Sequence, residues 1–179
     1  QLLEQERKNI AEDNKDAVKG NLEKEVSDSL RDIYVRLRDS GVSFDLSEAL
    51  TTTGIGSVVC AVKPGDGSAR EQAASCQKVL GGWANISVEY ATKRYRSNLI
   101  NWGLLPFTLE DGFISDFEVG DLIFIPDIRS KVENGEEVFP AKVIGNGKVR
   151  DLKLYLKNLT REERNIILEG CLINYYKKA

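Results

Sequence analysis

The feature that most constrains this chain is a rhythm that occurs twice between Ile55 and Phe107: a short apolar run, a polar connection, and a helical stretch. Ile55-Gly56-Ser57-Val58-Val59-Cys60-Ala61-Val62 reads as a buried strand, short and rich in β-branched residues. The turn-forming loop Lys63-Pro64-Gly65-Asp66-Gly67-Ser68 follows it, and then a helix from Ala69 to about Leu80. Ala73, Cys76, Val79 and Leu80 are its expected inner face, and Gly81-Gly82 its stop. Trp83–Val88 reads as a second strand, Tyr95–Trp102 as a second helix closed by Gly103, and Leu104–Phe107 as a third strand. Strand, loop and helix in that order predict parallel βαβ units, hence an α/β domain.

The flanks have a different texture. Leu22, Val26, Leu30, Ile33 and Leu37 recur at spacings of three and four, the stripe of one helix face, and Gly41 stops it. Residues 1–50 are thus expected to form a helical arm or linker, with 51–179 as the folded domain. The stripe is too short for sustained heptads, which favours a packing helix over a coiled coil. After Phe107 the chain becomes more β-like. Leu122–Ile125 is a short strand, and Gly145-Asn146-Gly147 is a turn between Val138–Ile144 and Lys148–Leu156. Thr160-Arg161-Glu162-Glu163 is a capping box opening a last helix that should turn Ile166, Ile167, Gly170, Cys171 and Ile173 inward. The expected sheet is mixed and partly parallel, with a β-rich closing half.

Composition removes several functions. Histidine is absent, which excludes Ser-His-Asp or Cys-His catalysis within the chain and any histidine metal ligand. Cys60, Cys76 and Cys171 lack C-x-x-C spacing, a poor framework for a metal, and read as buried free thiols. A net charge of -3, from 25 basic and 28 acidic residues, argues against a protein held mainly by phosphates. Lys93, Arg94 and Arg96 are accordingly read as a solvated helix face rather than an RNA contact. Neither a transmembrane run nor a signal-peptide pattern is apparent, so a cytoplasmic location and no membrane partner are expected.

The informative stretch is Gly65-Asp66-Gly67-Ser68-Ala69-Arg70-Glu71-Gln72. A glycine-rich loop entering a helix leaves backbone N–H groups without partners at the positive end of the helix dipole, which together form an anion site. Ser68 offers a hydroxyl there, and Arg70 a planar donor fork suited to a carboxylate or phosphate. A cation in a first helical turn is electrostatically misplaced, and an anionic ligand would account for it. The plainer reading has Ser68 capping the helix and Arg70 paired with an acid such as Asp66. The stretch is not a Walker A loop, because no lysine follows the second glycine.

Gly65-Asp66-Gly67-Ser68-Ala69-Arg70-Glu71-Gln72-Ala73-Ala74, with Asn98-Leu99 and Gly103-Leu104-Leu105-Pro106-Phe107-Thr108 in register downstream, resembles the C-terminal swivel (small) domain of the aconitase and isopropylmalate-dehydratase family. The family pattern is Gly-x-Gly-Ser-Ser-Arg-Glu-x-Ala-Ala, followed by Asn-Leu and Gly-Leu-Leu-Pro-Leu-Thr. The resemblance covers residues 58 to 109 and implies a swivel-type β/β/α domain of a divergent aconitase-like hydratase. It implies that Ser68 is the catalytic base, acting as an alkoxide on a proton beside a substrate carboxylate. Arg70 would grip a carboxylate, with Gly67 and Ala69 beside the substrate. The implied reaction is reversible dehydration and hydration of a hydroxy-polycarboxylate by a hydro-lyase that is inactive without a large cluster-bearing domain or subunit. The iron–sulfur (4Fe-4S) cluster would be ligated outside this chain, leaving it no metal residues of its own.

The chain departs from the pattern at Ala69, where the family has a second serine. Lys93 stands for an arginine and Tyr95 for a histidine, so the substrate acid stays open. A non-catalytic carboxylate-binding or regulatory module of the same fold is the alternative. An unrelated phosphate-binding βαβ domain fits the loop but not Gly103–Phe107.

Overall fold

The computed structural model describes residues 35–39, 41, 52–110 and 116–178. Its elements are β1 (Ser57–Ala61), α1 (Arg70–Val79), β2 (Gly82–Ser87), α2 (Lys93–Asn101), β3 (Leu105–Thr108), β4 (Leu122–Phe124), α3 (Ile128–Asn134), β5 (Val138–Gly145), β6 (Lys148–Tyr155), α4 (Arg161–Leu168) and α5 (Leu172–Lys178). Among the described residues six strands form one sheet in the order β1-β2-β3-β6-β5-β4. β1, β2 and β3 run parallel, and β3 meets β6 antiparallel through Thr108 and Tyr155. This is the mixed, partly parallel α/β sheet expected from the sequence.

The parallel half takes its order from punctuation at the helix ends. Gly81, at φ +87°, follows the last residues of α1 and lets the chain turn straight into β2. Thr92 caps α2 by accepting the Tyr95 amide at 3.2 Å, which starts this helix at Lys93 rather than Tyr95. At its other end the Leu104 and Gly103 amides donate to Leu99 and Ile100 carbonyls, both at 2.8 Å, a Schellman arrangement that needs a left-handed residue. Gly103 supplies it at φ +66°, and a Cβ there would stand 2.0 Å from the Gly170 carbonyl oxygen.

Two readings of this half need correction. β1 is an edge strand with an alternating exposed pattern, not a buried one; Val62 beyond it is exposed, and pairing is made on one side only. The inner line of α1 is also different. Ala74 is fully buried, whereas Ala73 and Cys76 are exposed, and Val79 and Leu80 are 81% and 82% exposed. The buried line is chosen by a polar partner, because Gln77 donates to the Tyr95 hydroxyl at 2.9 Å. A count of apolar spacing cannot register such a bond.

One face of the sheet carries the main core: Ala84, Ile86, Phe107, Phe139, Leu154 and Leu156 among others, with Phe107 and Phe139 edge-to-face at 5.3 Å. Each fully buried aromatic or leucine contributes roughly 1.5–3 kcal/mol. A smaller cluster of Ala74, Tyr95, Leu99 and Leu104 lies with α1 and α2. The β5–β6 hairpin turns on Asn146 and Gly147, at φ 48° and 69°, the two left-handed positions of a type I′ turn. Thr160 and Glu163 form the expected capping box. The last helix, however, is broken. Gly170 at φ +87° separates α4 from α5, so Ile166 is buried while Ile173 is 60% exposed. α3 was not foreseen; Asp127 starts it in the left-handed region with no side-chain cap, leaving no sequence signal.

The chain divides into two compact units, one comprising Gln1–Ile55 with Ile144–Val149 and the other Gly56–Val143 with Arg150–Ala179. In the first, Arg36 Nη2 donates to the Ile144 carbonyl at 2.8 Å, and Gly41 adopts φ +78° after the helical residues 35–39. Leu22, Val26, Leu30 and Ile33 of the expected arm lie outside the described residues. Among the described residues no helix is long and apolar enough to cross a membrane.

Candidate functional site

The Gly65–Arg70 loop follows the carboxyl end of β1, and the segment after β2 ties it down. Val88 and Glu89 amides donate to the Val62 carbonyl at 3.2 and 3.1 Å, and the Ala91 amide donates to Pro64 at 2.9 Å. Lys63 and Glu89 add an exposed ion pair at 2.6 Å, a contact worth little by itself. Gly65 holds φ +95°, and a Cβ at this position would lie 2.4 Å from Tyr95 ring atoms. Only glycine fits between that backbone conformation and that ring.

Arg70 is not paired with the Asp66 carboxylate. Its Nε donates to the Gly65 carbonyl at 3.1 Å and its Nη2 to the Asp66 carbonyl at 3.4 Å. These two oxygens account for part of the positive charge that looked misplaced in a first helical turn. Nη1 makes no hydrogen bond among the described residues, so one corner of the guanidinium remains for a ligand. Ser68 does not cap α1 either. The cap position belongs to Ala69, which supplies no side-chain bond. The Ser68 hydroxyl is exposed and makes no hydrogen bond among the described residues. Around Gly67 an added Cβ would meet nothing within 4 Å.

The first backbone bond of α1 runs from the Ala73 amide to Ala69 at 3.0 Å. The amides of Arg70, Glu71 and Gln72 precede it and have no acceptor within the helix. With no side chain capping them, they form the positive end of the helix beside Ser68. Glu71 is held outward by the Trp102 indole, which donates to Oε1 at 2.9 Å. Gly67, Ser68, Ala69 and Arg70 therefore stand together as one open, donor-rich edge.

Sequence reasoning missed Thr92, Gln77 and Asn85 beneath this edge, and it noted Tyr95 only as a departure from the family pattern. Thr92 Oγ1 donates to the Gly65 carbonyl at 3.1 Å while accepting the Tyr95 amide. Tyr95 is 2% exposed, and its hydroxyl lies 2.9 Å from Gln77 Nε2 and 3.0 Å from Asn85 Nδ2. Asn85 is wholly buried in β2. A phenol has one proton and two lone pairs. Both amides donate to it and fill those lone pairs, while Gln77 Oε1 and Asn85 Oδ1 have no hydrogen-bond partner among the described residues. The readable signal was a polar Asn85 and Ser87 alternating with apolar Ala84 and Ile86. Nearby, the Tyr90 hydroxyl lies 3.0 Å from Phe107 O and 3.3 Å from Asn85 O, and burial pushes its pKa up. Lys93 is exposed. Arg96 of α2 is spent on the Lys157 carbonyl at 2.7 Å and faces Glu163 at 4.0 Å.

The cysteines do not suit a cluster. Among the described residues no three Cys, Asp or Glu side chains converge as a metal site. All three thiols are free; Cys76 is exposed on α1 and so is not the buried thiol expected, while Cys60 and Cys171 are part-buried. Burial, with a smaller effect from the Asp121 charge, raises the Cys60 pKa and disfavours the thiolate a metal needs.

Comparison with known proteins agrees with the motif. The chain is 35% identical over 115 residues to the 3-isopropylmalate dehydratase small subunit of Sulfolobus acidocaldarius, covering 64% of this chain. The chain spans 62% of the length of that relative. The family described as the aconitase C-terminal domain matches residues 4–112, which takes in both the Gly65–Arg70 loop and most of the segment before residue 50. This chain belongs to the aconitase C-terminal domain family.

Proposed function

We propose that this chain is the substrate-binding swivel component of an aconitase-type hydro-lyase acting on a hydroxy-di- or tricarboxylate. The observation that carries the reading is the open edge in a member of this family: an unbonded Ser68 hydroxyl beside uncapped α1 amides and the free Nη1 corner of Arg70. In this reading Arg70 and the Gly67–Ala69 backbone hold a substrate carboxylate. Ser68 Oγ, as the alkoxide, takes the proton from the carbon next to that carboxylate. The C–H electron pair forms the new double bond, the neighbouring C–O bond breaks with its electron pair, and the departing hydroxyl takes a proton from an acid of the large domain or subunit to leave as water. A serine hydroxyl is a feeble base unless its anion is stabilised, and helix-end amides and a guanidinium are suited to that.

The iron–sulfur cluster belongs, in this proposal, to a separate large domain or subunit, because the three cysteines of this chain do not converge and burial disfavours the Cys60 thiolate. The chain alone is therefore expected to be inactive, and the assembled enzyme is placed in the cytoplasm. Ala69 in the second serine position favours one other reading, a carboxylate-binding or regulatory module without turnover.

Co-purification with a cluster-bearing large subunit, followed by assay of hydration of the unsaturated acid, separates the two. The catalytic reading expects turnover only in the assembly and its loss by at least about 100-fold in Ser68→Ala, the lower range for a positioned acid–base group. Turnover that survives Ser68→Ala would contradict Ser68 as base. An assembly that binds the acid without turning it over would favour the regulatory module.

A further inference from the structure

We infer that Tyr95 and Thr92 are positioning residues that hold the Ser68–Arg70 edge in its working shape before any ligand arrives; its functional side rests on the carboxylate reading above. Gly65 O receives two donors, Arg70 Nε and Thr92 Oγ1, both at 3.1 Å, which fills both lone pairs of that carbonyl. Thr92 is fixed in turn, since the same oxygen accepts the Tyr95 amide. The Tyr95 ring forms the floor under Gly65, at the distance where only a hydrogen fits on the Cα.

The Tyr95 hydroxyl reaches the other end of the lever. It binds Gln77, seven residues after Arg70 and so on the same line of α1, and Asn85 in the buried middle of β2. One side chain thereby pins both the loop and the rotation of the helix that carries Arg70. The direction of the free Nη1 corner, and of the α1 amides beside Ser68, follows from these contacts. Tyr95 stands where the family pattern has a histidine, and the chain contains no histidine anywhere. The clamp is therefore made of a phenol and an alcohol rather than an imidazole.

The test is amide and guanidinium exchange by NMR on the 179-residue chain and its Tyr95→Phe, Thr92→Val and Thr92→Ser variants. The Ala91 amide reports the loop through its bond to Pro64, the Ala73 amide reports the first bond of α1, and Arg70 Nε–H reports the arginine directly. We expect exchange at all three to rise about five-fold, the worth of one net hydrogen bond, in Tyr95→Phe and Thr92→Val. Amides of the β5–β6 hairpin should be unchanged, and Thr92→Ser, which keeps the hydroxyl, should match the parent. Unchanged exchange in Tyr95→Phe and Thr92→Val overturns the inference. So does a uniform rise that includes the hairpin, since Tyr95 would then be an ordinary core residue. Titration of the same variants with tricarballylate keeps the two ideas apart. A parent chain that binds none removes the carboxylate reading, while the exchange pattern still decides the clamp.

Discussion

Replacing Gly65 by alanine sets two independent costs against each other's absence at a neighbouring position. At φ +95° an L-residue is strained by about 1–2 kcal/mol. The new Cβ would also stand 2.4 Å from Tyr95 Cγ and Cδ1 and 2.5 Å from Tyr95 Cβ, about 1 Å inside ordinary contact. Tyr95 has nowhere to retreat, being 2% exposed and tethered by its hydroxyl to Gln77 and Asn85. Overpacking of this kind costs about 1–3 kcal/mol, for a total of about 2–5 kcal/mol. Urea unfolding should register it as a midpoint lowered by about 1–2.5 M at a slope near 2 kcal/mol/M. Gly67→Ala, with open space around it and no left-handed φ, should stay within about 0.5 kcal/mol. In a double-mutant cycle, Gly65→Ala should cost at least about 1 kcal/mol less when Tyr95 is alanine, because the two ring atoms that the new Cβ strikes are then gone. A cost below about 1 kcal/mol at unchanged slope, or strict additivity in the cycle, would refute the packing of Gly65 on Tyr95.

Two further outcomes follow from the same coordinates. Cys76 should react first with a thiol reagent and Cys60 last, since Cys76 is exposed while Cys60 is part-buried with a raised pKa; equal rates in the folded chain would contradict this. Tyr90, whose pKa burial raises, holds its proton in the folded chain after the unfolded chain has lost it. Its contribution is therefore complete below about pH 10 and declines as pH rises further. Unfolding free energies from urea titrations between pH 9 and 11 should fall less steeply in Tyr90→Phe, by up to about 1.4 kcal/mol per pH unit. Parallel slopes would contradict the burial effect.

What could be read ahead of the structure follows from which forces write themselves into adjacent residues. The strand–loop–helix alternation, the Asn146-Gly147 turn and the Thr160–Glu163 cap are local devices, and each is present. The helix face of α1 was misread because its orientation is set by one long-range polar bond, Gln77 to Tyr95, against the apolar count. The break between α4 and α5 falls at Gly170, where Gly103 crowds its carbonyl. That contact joins residues far apart in the chain, so periodicity could not anticipate it. For the site, the stretch carrying Ser68 and Arg70 stood out because a glycine-rich entry to a helix has a local signature. Tyr95 stood out only as a departure from the family's histidine, and Thr92 did not stand out, since a threonine before a helix signals nothing more than a cap. Its second role is visible only once Gly65 lies across it.

Calorimetric titration of the chain and its Arg70→Ala variant with citrate, isocitrate and isopropylmalate tests the carboxylate site most directly. The account predicts saturable binding of one of these acids at about millimolar affinity, near −4 kcal/mol, and its loss in Arg70→Ala. Binding of equal strength in both chains would place the carboxylate elsewhere and contradict the account.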